Sequence, residues 1–321
     1  MQRRDFIHFV GGVAAWPAMT RAQQPDRMRR VGVLLQETAE AESVRTELRD
    51  GLRKFGYVEG QNIHFEVRSA NEKLDLLPAL AAELVAMKVD VIVAVFTPSA
   101  LAAKRATTEI PIVFLAGDAV GTGVVASLSR PGGNLTGLSI MGAELQSKSV
   151  ELLRDMLPSL RRVAALAYAA SPFSKTFIDQ VQLAGRAMGI EINPVIMLKG
   201  PNEIDRAFET IEQARADAVI ATGVFSTKQV ADLALKHRLA SATNFRSFAE
   251  AGGLMSYGYP GTTLYQQMAL FVQKVLQGNK PEDIPVEQPS KFELVINLRT
   301  AKALGLNIPE LFLVRADRVI E

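Results

Sequence analysis

The sequence predicts an α/β protein made of two Rossmann-like, three-layer α/β/α lobes joined by a hinge of several crossings. Short β-branched runs alternate with amphipathic helical stretches from residue 31 onward, which is typical of parallel sheets covered by helices. A run of turn-forming residues, Ser129–Asn134, interrupts this alternation, which then starts again. The chain has 321 residues, and this length fits two domains of about 100 to 150 residues each.

The first lobe begins with an apolar strand, Val31–Leu35, as expected for a strand buried on both faces. A helix over 42–55 follows, because apolar residues recur there at helical spacing and Gly56 supplies a stop. The other elements predicted for this lobe are a half-exposed strand at 63–67, a helix at 77–85, a buried strand at 90–95, a helix from about 98 and a buried strand at 112–115.

The first crossing between the lobes is predicted at Ser129–Asn134. The second lobe then contains helices near 145–157, 173–188 and 203–214, and strands at 163–168, 190–197, 218–221 and 254–257. An apolar stripe that starts at Leu264 predicts a helix that rejoins the first lobe. The predicted division is 31–138 with roughly 258–321 for lobe 1 and 139–257 for lobe 2, and the assignment of 285–321 stays open.

Residues 1–22 have the order of an export signal. Arg3 and Arg4 resemble the twin-arginine pattern, an apolar stretch follows at 9–19, and small residues predict cleavage near Ala22. The apolar stretch is shorter than the roughly 20 residues that a bilayer requires. We therefore expect a soluble protein in the periplasm. The signal holds three arginines and one aspartate, so its removal takes the net charge from +2 to zero, which gives no support to nucleic-acid binding.

The sequence has few of the residues that carry enzyme chemistry. Cysteine is absent, and the two histidines beyond the signal, His64 and His237, are predicted in different lobes. We find no metal-ligand spacing, no G-x-S-x-G elbow and no phosphate loop. Residues 121–126 fit the loose dinucleotide pattern G-x-G-x-x-A, but they follow the fourth strand and Pro131 interrupts the next helix. We expect a short helix there, and we expect no cofactor, no metal and no catalytic residue.

Several long motifs carry a family resemblance over essentially the whole chain beyond the signal. They are RVGVL (30–34), FGYVEGQNI (55–63), IPIVF (110–114), SLSRPGGNLTG (127–137), AGGLMSYG (251–258), NLRTAKALG (297–305) and RADRVI (315–320). The chain resembles the ABC transporter substrate-binding proteins that include tryptophan- and phenylalanine-binding members, with a type I periplasmic binding fold. The resemblance implies a small-molecule ligand, closure of a hinge and a permease in the inner membrane as partner. We also expect a monomer.

Two segments depart from the family pattern near the expected cleft. Asp118-Ala119-Val120 stands where members often have Asp-Pro-Val, and Ala240–Asn244 stands where members often have a strand with a proline. The first departure affects the shape of the loop beside Asp118. The second suggests an altered ligand preference.

Ligands of open α/β sheets bind outside the carboxyl ends of the strands, so the candidate site residues are those that follow each strand. In the first lobe they are Gln36, Glu37, Phe96, Thr97, Pro98, Ser99, Gly117 and Asp118. Thr97 and Ser99 are expected beside a helix N-terminus, where free N–H groups favour a carboxylate. The alternative is that either hydroxyl caps the helix.

In the second lobe the corresponding residues are Tyr168, Ser171, Phe225, Phe245, Arg246 and Tyr257. Phe96, Tyr168, Phe225 and Phe245 would give the cleft flat apolar surfaces that suit an aromatic or branched ligand. The alternative is that some of these rings belong to the core. Arg246 is a candidate for bidentate pairing with a carboxylate, and the alternative is a solvated arginine.

These observations favour a binding protein that captures an amino acid or an aromatic carboxylate by closing two lobes around it. Two alternatives stay open. A periplasmic ligand sensor would use the same clamp to signal to a membrane receptor. An exported α/β enzyme is the other, and the missing nucleophile and metal patterns argue against it.

Overall fold

The computed structural model describes residues 27–36 and 41–321. The predicted export signal and Glu37 lie outside the described residues. Among the described residues, no helix combines the length and the apolar character that a membrane crossing requires.

The first lobe contains a five-stranded, fully parallel sheet in the order β2-β1-β3-β4-β5. Its strands are β1 (Arg29–Leu35), β2 (Ile63–Ser69), β3 (Val91–Val95), β4 (Ile112–Ala116) and β5 (Leu135–Ser139). Its helices are α1 (Ala41–Arg53), α2 (Leu77–Ala86), α3 (Thr97–Ala106) and, from later in the chain, α9 (Gly261–Leu276). Because α1 and α9 cover one face of the sheet and α2 and α3 cover the other, the lobe has three layers.

The second lobe contains a seven-stranded sheet in the order β12-β11-β10-β9-β8-β6-β7. Its strands are β6 (Arg162–Tyr168), β7 (Glu191–Leu198), β8 (Ala218–Ala221), β9 (Ala240–Thr243), β10 (Met255–Gly258), β11 (Glu293–Asn297) and β12 (Arg318–Ile320). Its helices are α4 (Gly142–Met156), α5 (Phe173–Met188), α6 (Ile204–Gln213), α7 (Lys228–Lys236), α8 (Arg246–Glu250), α10 (Leu298–Leu304) and α11 (Glu310–Leu313). Neighbouring strands are parallel except β10 and β11.

The predicted fold class is confirmed, and the apolar pattern explains why. Strands β3 and β4 are buried along their whole length, as expected where helices cover both faces of a parallel sheet. In the second lobe, α4 and α5 cover one face and α6 and α7 cover the other. Each lobe therefore has its own apolar core on both sides of its sheet.

The described chain crosses between the lobes three times, after β5, after β10 and before β11. The first crossing was predicted at Ser129–Asn134, but Leu135–Ser139 still pairs with β4 as the edge strand of the first sheet. The turn-forming run precedes this last strand, so the crossing lies at 139–142. The tail after the third crossing, which the sequence grouped with lobe 1 but left open, enters the second sheet through β11 and β12.

The return of the chain to the first lobe depends on a close approach between α1 and α9. Gly51 lies on the buried side of α1, and a Cβ placed there would lie 2.6 Å from the Cβ of Ala269 in α9. This packing of α9 on α1 is permitted only by a residue without a side chain at position 51.

A bulky side chain at position 51 should therefore separate α9 from α1. We expect Gly51→Leu to lower the free energy of unfolding by about 1 to 3 kcal/mol, the usual cost of overpacking a core. Asp50→Leu, on the exposed side of the same helix, is the control and should change stability much less. Urea unfolding of both variants measures the difference, and equal stabilities would contradict the close packing.

Candidate functional site

A narrow cavity of about 70 Å³ lies between the two lobes. Its described lining comes from both lobes and consists of Gln36, Phe96, Thr97, Pro98, Gly117, Ile140, Gly142, Gln146, Tyr168, Ser171, Phe173, Thr222, Gly223, Val224, Asn244 and Phe245. Many of these residues follow the carboxyl ends of strands, where ligands of open α/β sheets bind. None of the described lining residues carries a formal charge.

The first-lobe wall is formed where β3 leads into α3. Phe96 precedes the helix with a positive φ of 66°, and no side chain caps the helix there. Thr97 Oγ1 accepts a hydrogen bond from the Gly117 amide at 3.2 Å, which ties the ends of β3 and β4 together. Ser99 lies in the first turn, is 0% exposed and has no hydrogen-bond partner for its Oγ. The first turn of α3 thus combines backbone N–H groups with an unused hydroxyl.

The second-lobe wall is anchored by Tyr168 at the end of β6. Its ring packs edge-on against Phe225, with centroids 5.9 Å apart. Its hydroxyl donates a hydrogen bond to the Glu72 carbonyl of the first lobe at 2.9 Å. Burial raises the pKa of the Tyr168 hydroxyl, and the negative charges of Asp75 and Glu72 add to this effect. The neutral form that donates this hydrogen bond is thereby favoured.

Aromatic rings hold the two lobes in contact around the cavity. Phe96 of the first lobe and Phe245 of the second pack in a T-shaped arrangement, with centroids 6.0 Å apart and an interplanar angle of 81°. The ring of Phe173 lies against two glycines. A Cβ at Gly117 would lie 2.8 Å from this ring and one at Gly142 would lie 2.9 Å from it. The arrangement therefore depends on the absence of side chains at both positions.

Two buried side-chain amides, which are not among the predicted site residues, complete the wall. Gln146 of α4 donates from Nε2 to the Ala221 carbonyl at 2.9 Å, and Asn244 donates from Nδ2 to the Gly142 carbonyl at 3.1 Å. Their oxygens, Oε1 and Oδ1, have no hydrogen-bond partner in the described protein. A signal for Gln146 was present in the sequence, because it shares an otherwise apolar helix face with Val150 and Leu153.

The structure brings most of the predicted site residues together in this cavity. Those that line it are Gln36, Phe96, Thr97, Pro98, Gly117, Tyr168, Ser171 and Phe245. Ser99 is buried in the first turn of α3, and Phe225 is 2% exposed behind Tyr168 as part of the core. Tyr257 packs against Phe292, with ring centroids 5.9 Å apart, and does not line the cavity.

Asp118 also lies outside the lining, because its side chain serves the loop that follows β4. Its Oδ1 accepts a hydrogen bond from the Gly121 amide at 2.8 Å. The expected short helix over 121–126 is wrong, since residues 121–123 form turns and 124–126 contain no helix. Residues 121–126 therefore lack the helix that a dinucleotide-binding pattern requires.

Arg246 lines a second, wider cavity, which shares Phe96 and Phe245 with the first. Its guanidinium already pairs with Glu250 at 2.9 Å and with Glu293 at 3.7 Å. The hydrogen bond to Glu250 is the main reason that the pKa of Arg246 is raised. This arginine, predicted as a partner for a ligand carboxylate, is thus occupied by carboxylates of the protein. Among the described residues, no group of three or more His, Asp or Glu side chains has the geometry of a metal site.

Comparisons with known proteins agree with this architecture. A family model for ABC transporter substrate binding proteins matches residues 31–320. A tyrosine-binding protein of Clostridioides difficile is 28% identical over 258 residues, which are 78% of this chain and 73% of that protein.

Two solved structures are also similar. A conserved domain protein of Vibrio cholerae has a TM-score of 0.86 and 27% identity, covering 91% of this chain and all of that one. An ABC domain of Streptococcus pneumonia, solved in complex with L-Trp, has a TM-score of 0.83 and 25% identity, covering 90% of this chain and all of that one. Since the family model spans nearly the whole described chain, the protein belongs to the ABC transporter substrate-binding protein family, with the type I periplasmic binding fold.

Proposed function

We propose that this protein captures an amino acid with an aromatic or branched side chain between its lobes and delivers it, chemically unchanged, to an ABC permease of the inner membrane. It would do so in the periplasm and as a monomer. The observation that carries the proposal is the cavity between the lobes, whose described lining is uncharged, partly aromatic and contributed by both lobes. Such a cavity suits a small ligand that is neutral overall and apolar along its body.

The first turn of α3 suits the carboxylate of the ligand. Backbone N–H groups at a helix N-terminus favour an anion, and Ser99 adjoins them with a buried hydroxyl that lacks a partner. A carboxylate placed there would need no arginine, which agrees with the engagement of Arg246 elsewhere.

The aromatic rings suit the body of the ligand. Phe96, Phe245, Tyr168 and Phe173 border the cavity from both lobes, and aromatic pairs contribute about 0.5 to 1.5 kcal/mol beyond their buried area. The tyrosine-binding relative and the relative solved with L-Trp support this ligand class.

Ligand capture would act through contacts that exist only when the lobes meet. The hydrogen bond from Tyr168 to Glu72 and the packing of Phe96 on Phe245 both join one lobe to the other. A ligand that contacts both walls binds the closed arrangement more tightly than the open one. This difference in affinity shifts the population toward the closed arrangement. The permease would then recognise the closed form.

Aromatic amino acids should stabilise the purified protein against heat, because a ligand that binds only the folded state raises its stability. We expect L-Tyr, L-Trp or L-Phe to raise the melting temperature, and Phe245→Ala to weaken binding about tenfold or more. Phe55→Ala removes an exposed ring outside the cavity and is the control. Calorimetric titration measures the affinities, and mass spectrometry should recover the ligand intact. No stabilisation by any aromatic or branched amino acid would contradict the proposal.

A methyl group at position 117 should hinder closure, because it would meet the Phe173 ring of the opposite lobe at 2.8 Å. We expect Gly117→Ala to leave the stability of the ligand-free protein nearly unchanged and to weaken amino-acid binding about tenfold, equivalent to about 1.4 kcal/mol. Gly200→Ala is the matched control, since its Cβ would meet only the flexible Asn202 side chain, at 3.1 Å. Small-angle scattering should show less compaction on ligand addition for Gly117→Ala than for the control.

Loss of the hydroxyl that joins the lobes should also weaken binding. We expect Tyr168→Phe to reduce affinity severalfold, in line with about 0.5 to 1.5 kcal/mol for one hydrogen bond, while the T-shaped contact with Phe225 stays in place. The dissociation rate should rise, because the lost bond belongs to the closed arrangement. Stopped-flow fluorescence with a competing ligand measures this rate, and an unchanged rate would mean that the bond to Glu72 does not contribute to closure.

A further inference from the structure

We propose that Gln146 and Asn244 form a fixed pair of hydrogen-bond acceptors that requires a protonated amine on the ligand, so that the site takes amino acids and rejects the matching carboxylates without an amine. The inference rests on the proposed function, because it specifies the ligand class of the same cavity. It separates the two ligand classes that the sequence left open.

The orientation of each amide is fixed by the protein. Gln146 donates a hydrogen bond from Nε2 to the carbonyl of Ala221, the last residue of β8. Asn244 donates one from Nδ2 to the carbonyl of Gly142. A carbonyl oxygen only accepts hydrogen bonds, so rotation of either amide by half a turn would set two oxygens against each other. Each side chain therefore offers its oxygen, and not its NH₂ group, as the free group.

The two amides are placed together by the first turn of α4. Gly142 and Gln146 are four residues apart in this helix and so lie on the same face. That face covers the ends of β8 and β9, which are neighbours in the sheet. Ala221 ends β8 and Asn244 follows β9. The acceptor pair thus occupies one corner of the cavity wall.

Both oxygens need a donor that the described protein does not supply. Gln146 is 2% exposed and Asn244 is 8% exposed, and neither Oε1 nor Oδ1 has a partner. A buried acceptor without a partner costs about 1 to 3 kcal/mol. A protonated amine carries three N–H donors, and hydrogen bonds from a charged donor are the stronger kind. An ammonium group bound in this corner of the cavity would supply the donors that the two acceptors lack.

The charge of the cavity points to the same ligand. No lysine or arginine belongs to its described lining, so a ligand that is an anion overall would be buried without a counter-charge. The unpaired oxygens are the negative ends of the amide dipoles and would repel a carboxylate placed beside them. An amino acid brings its own positive charge, which lies next to the amide oxygens while its carboxylate lies at α3.

The test compares pairs of ligands that differ only in the amine. L-Phe, L-Tyr and L-Trp are titrated calorimetrically against 3-phenylpropionate, 3-(4-hydroxyphenyl)propionate and indole-3-propionate. We expect the unmodified protein to bind its preferred amino acid about 100-fold more tightly than the matching acid without an amine, because the acid leaves buried polar groups unpaired. This comparison does not depend on the folding of any variant.

Two variants then assign the selectivity to the amides. Gln146→Met and Asn244→Leu remove an acceptor while keeping similar volume, so each should weaken amino-acid binding about tenfold and leave the affinity for the acid without an amine unchanged or higher. If the two amides contributed only packing, each variant would lower the affinity for both ligands of a pair by the same factor. The ratio of the two affinities is therefore the readout.

The outcomes separate this inference from the proposed function. If amino acids bind but their partners without an amine bind equally well, or if the variants leave the ratio unchanged, the acceptor pair is not the selector and the capture function stands. If only the acids without an amine bind, the inference is overturned and the ligand is an aromatic carboxylate. If no member of the panel binds, the proposed function fails and the inference fails with it.

Discussion

The structure depends on one constraint, which is that parallel strands of two separate sheets end at a common groove. A parallel sheet that is covered by helices on both faces exposes polar backbone groups where its strands end. In this protein the ends of β3 and β4 face those of β6, β8 and β9, so loops from both lobes converge. Side chains at these ends line the cavity and also form hydrogen bonds: Thr97 ties β3 to β4 within the first lobe, and Tyr168 joins the second lobe to the first.

The fit between the lobes is achieved by small residues and by rings that approach them. Gly117 and Gly142 leave room for Phe173, and Phe96 meets Phe245 across the boundary. Such contacts are made without rearranging either core, because each lobe keeps its own apolar layers on both faces of its sheet. The proposed closure would therefore be a movement of rigid bodies about the three crossings.

Much of this was predictable from the sequence, and the exceptions have physical reasons. Apolar runs identified the buried strands, and strand ends identified eight of the residues that line the cavity, among them Phe96 and Tyr168. The first crossing was placed too early because turn formers precede the edge strand Leu135–Ser139, and local turn chemistry does not reveal which strand is the last of a sheet. Gln146 was missed because it projects from a helix and not from a strand end. The engagement of Arg246 depends on Glu250 and on the distant Glu293, and a distant partner leaves no pattern in a linear sequence.

The absence of charge from the described lining also bears on release. A charged side chain in the groove would lose its water each time the lobes closed, at a cost of several kcal/mol that only an excellent partner could offset. Amide and hydroxyl groups such as those of Gln146, Asn244 and Ser99 carry only partial charges, so their burial without a ligand costs less. In the proposed complex, their bonds to a charged ligand group would still be strong enough to favour closure. A site of neutral dipoles would thus combine selectivity with reversible binding, which the proposed delivery of the ligand to a permease requires.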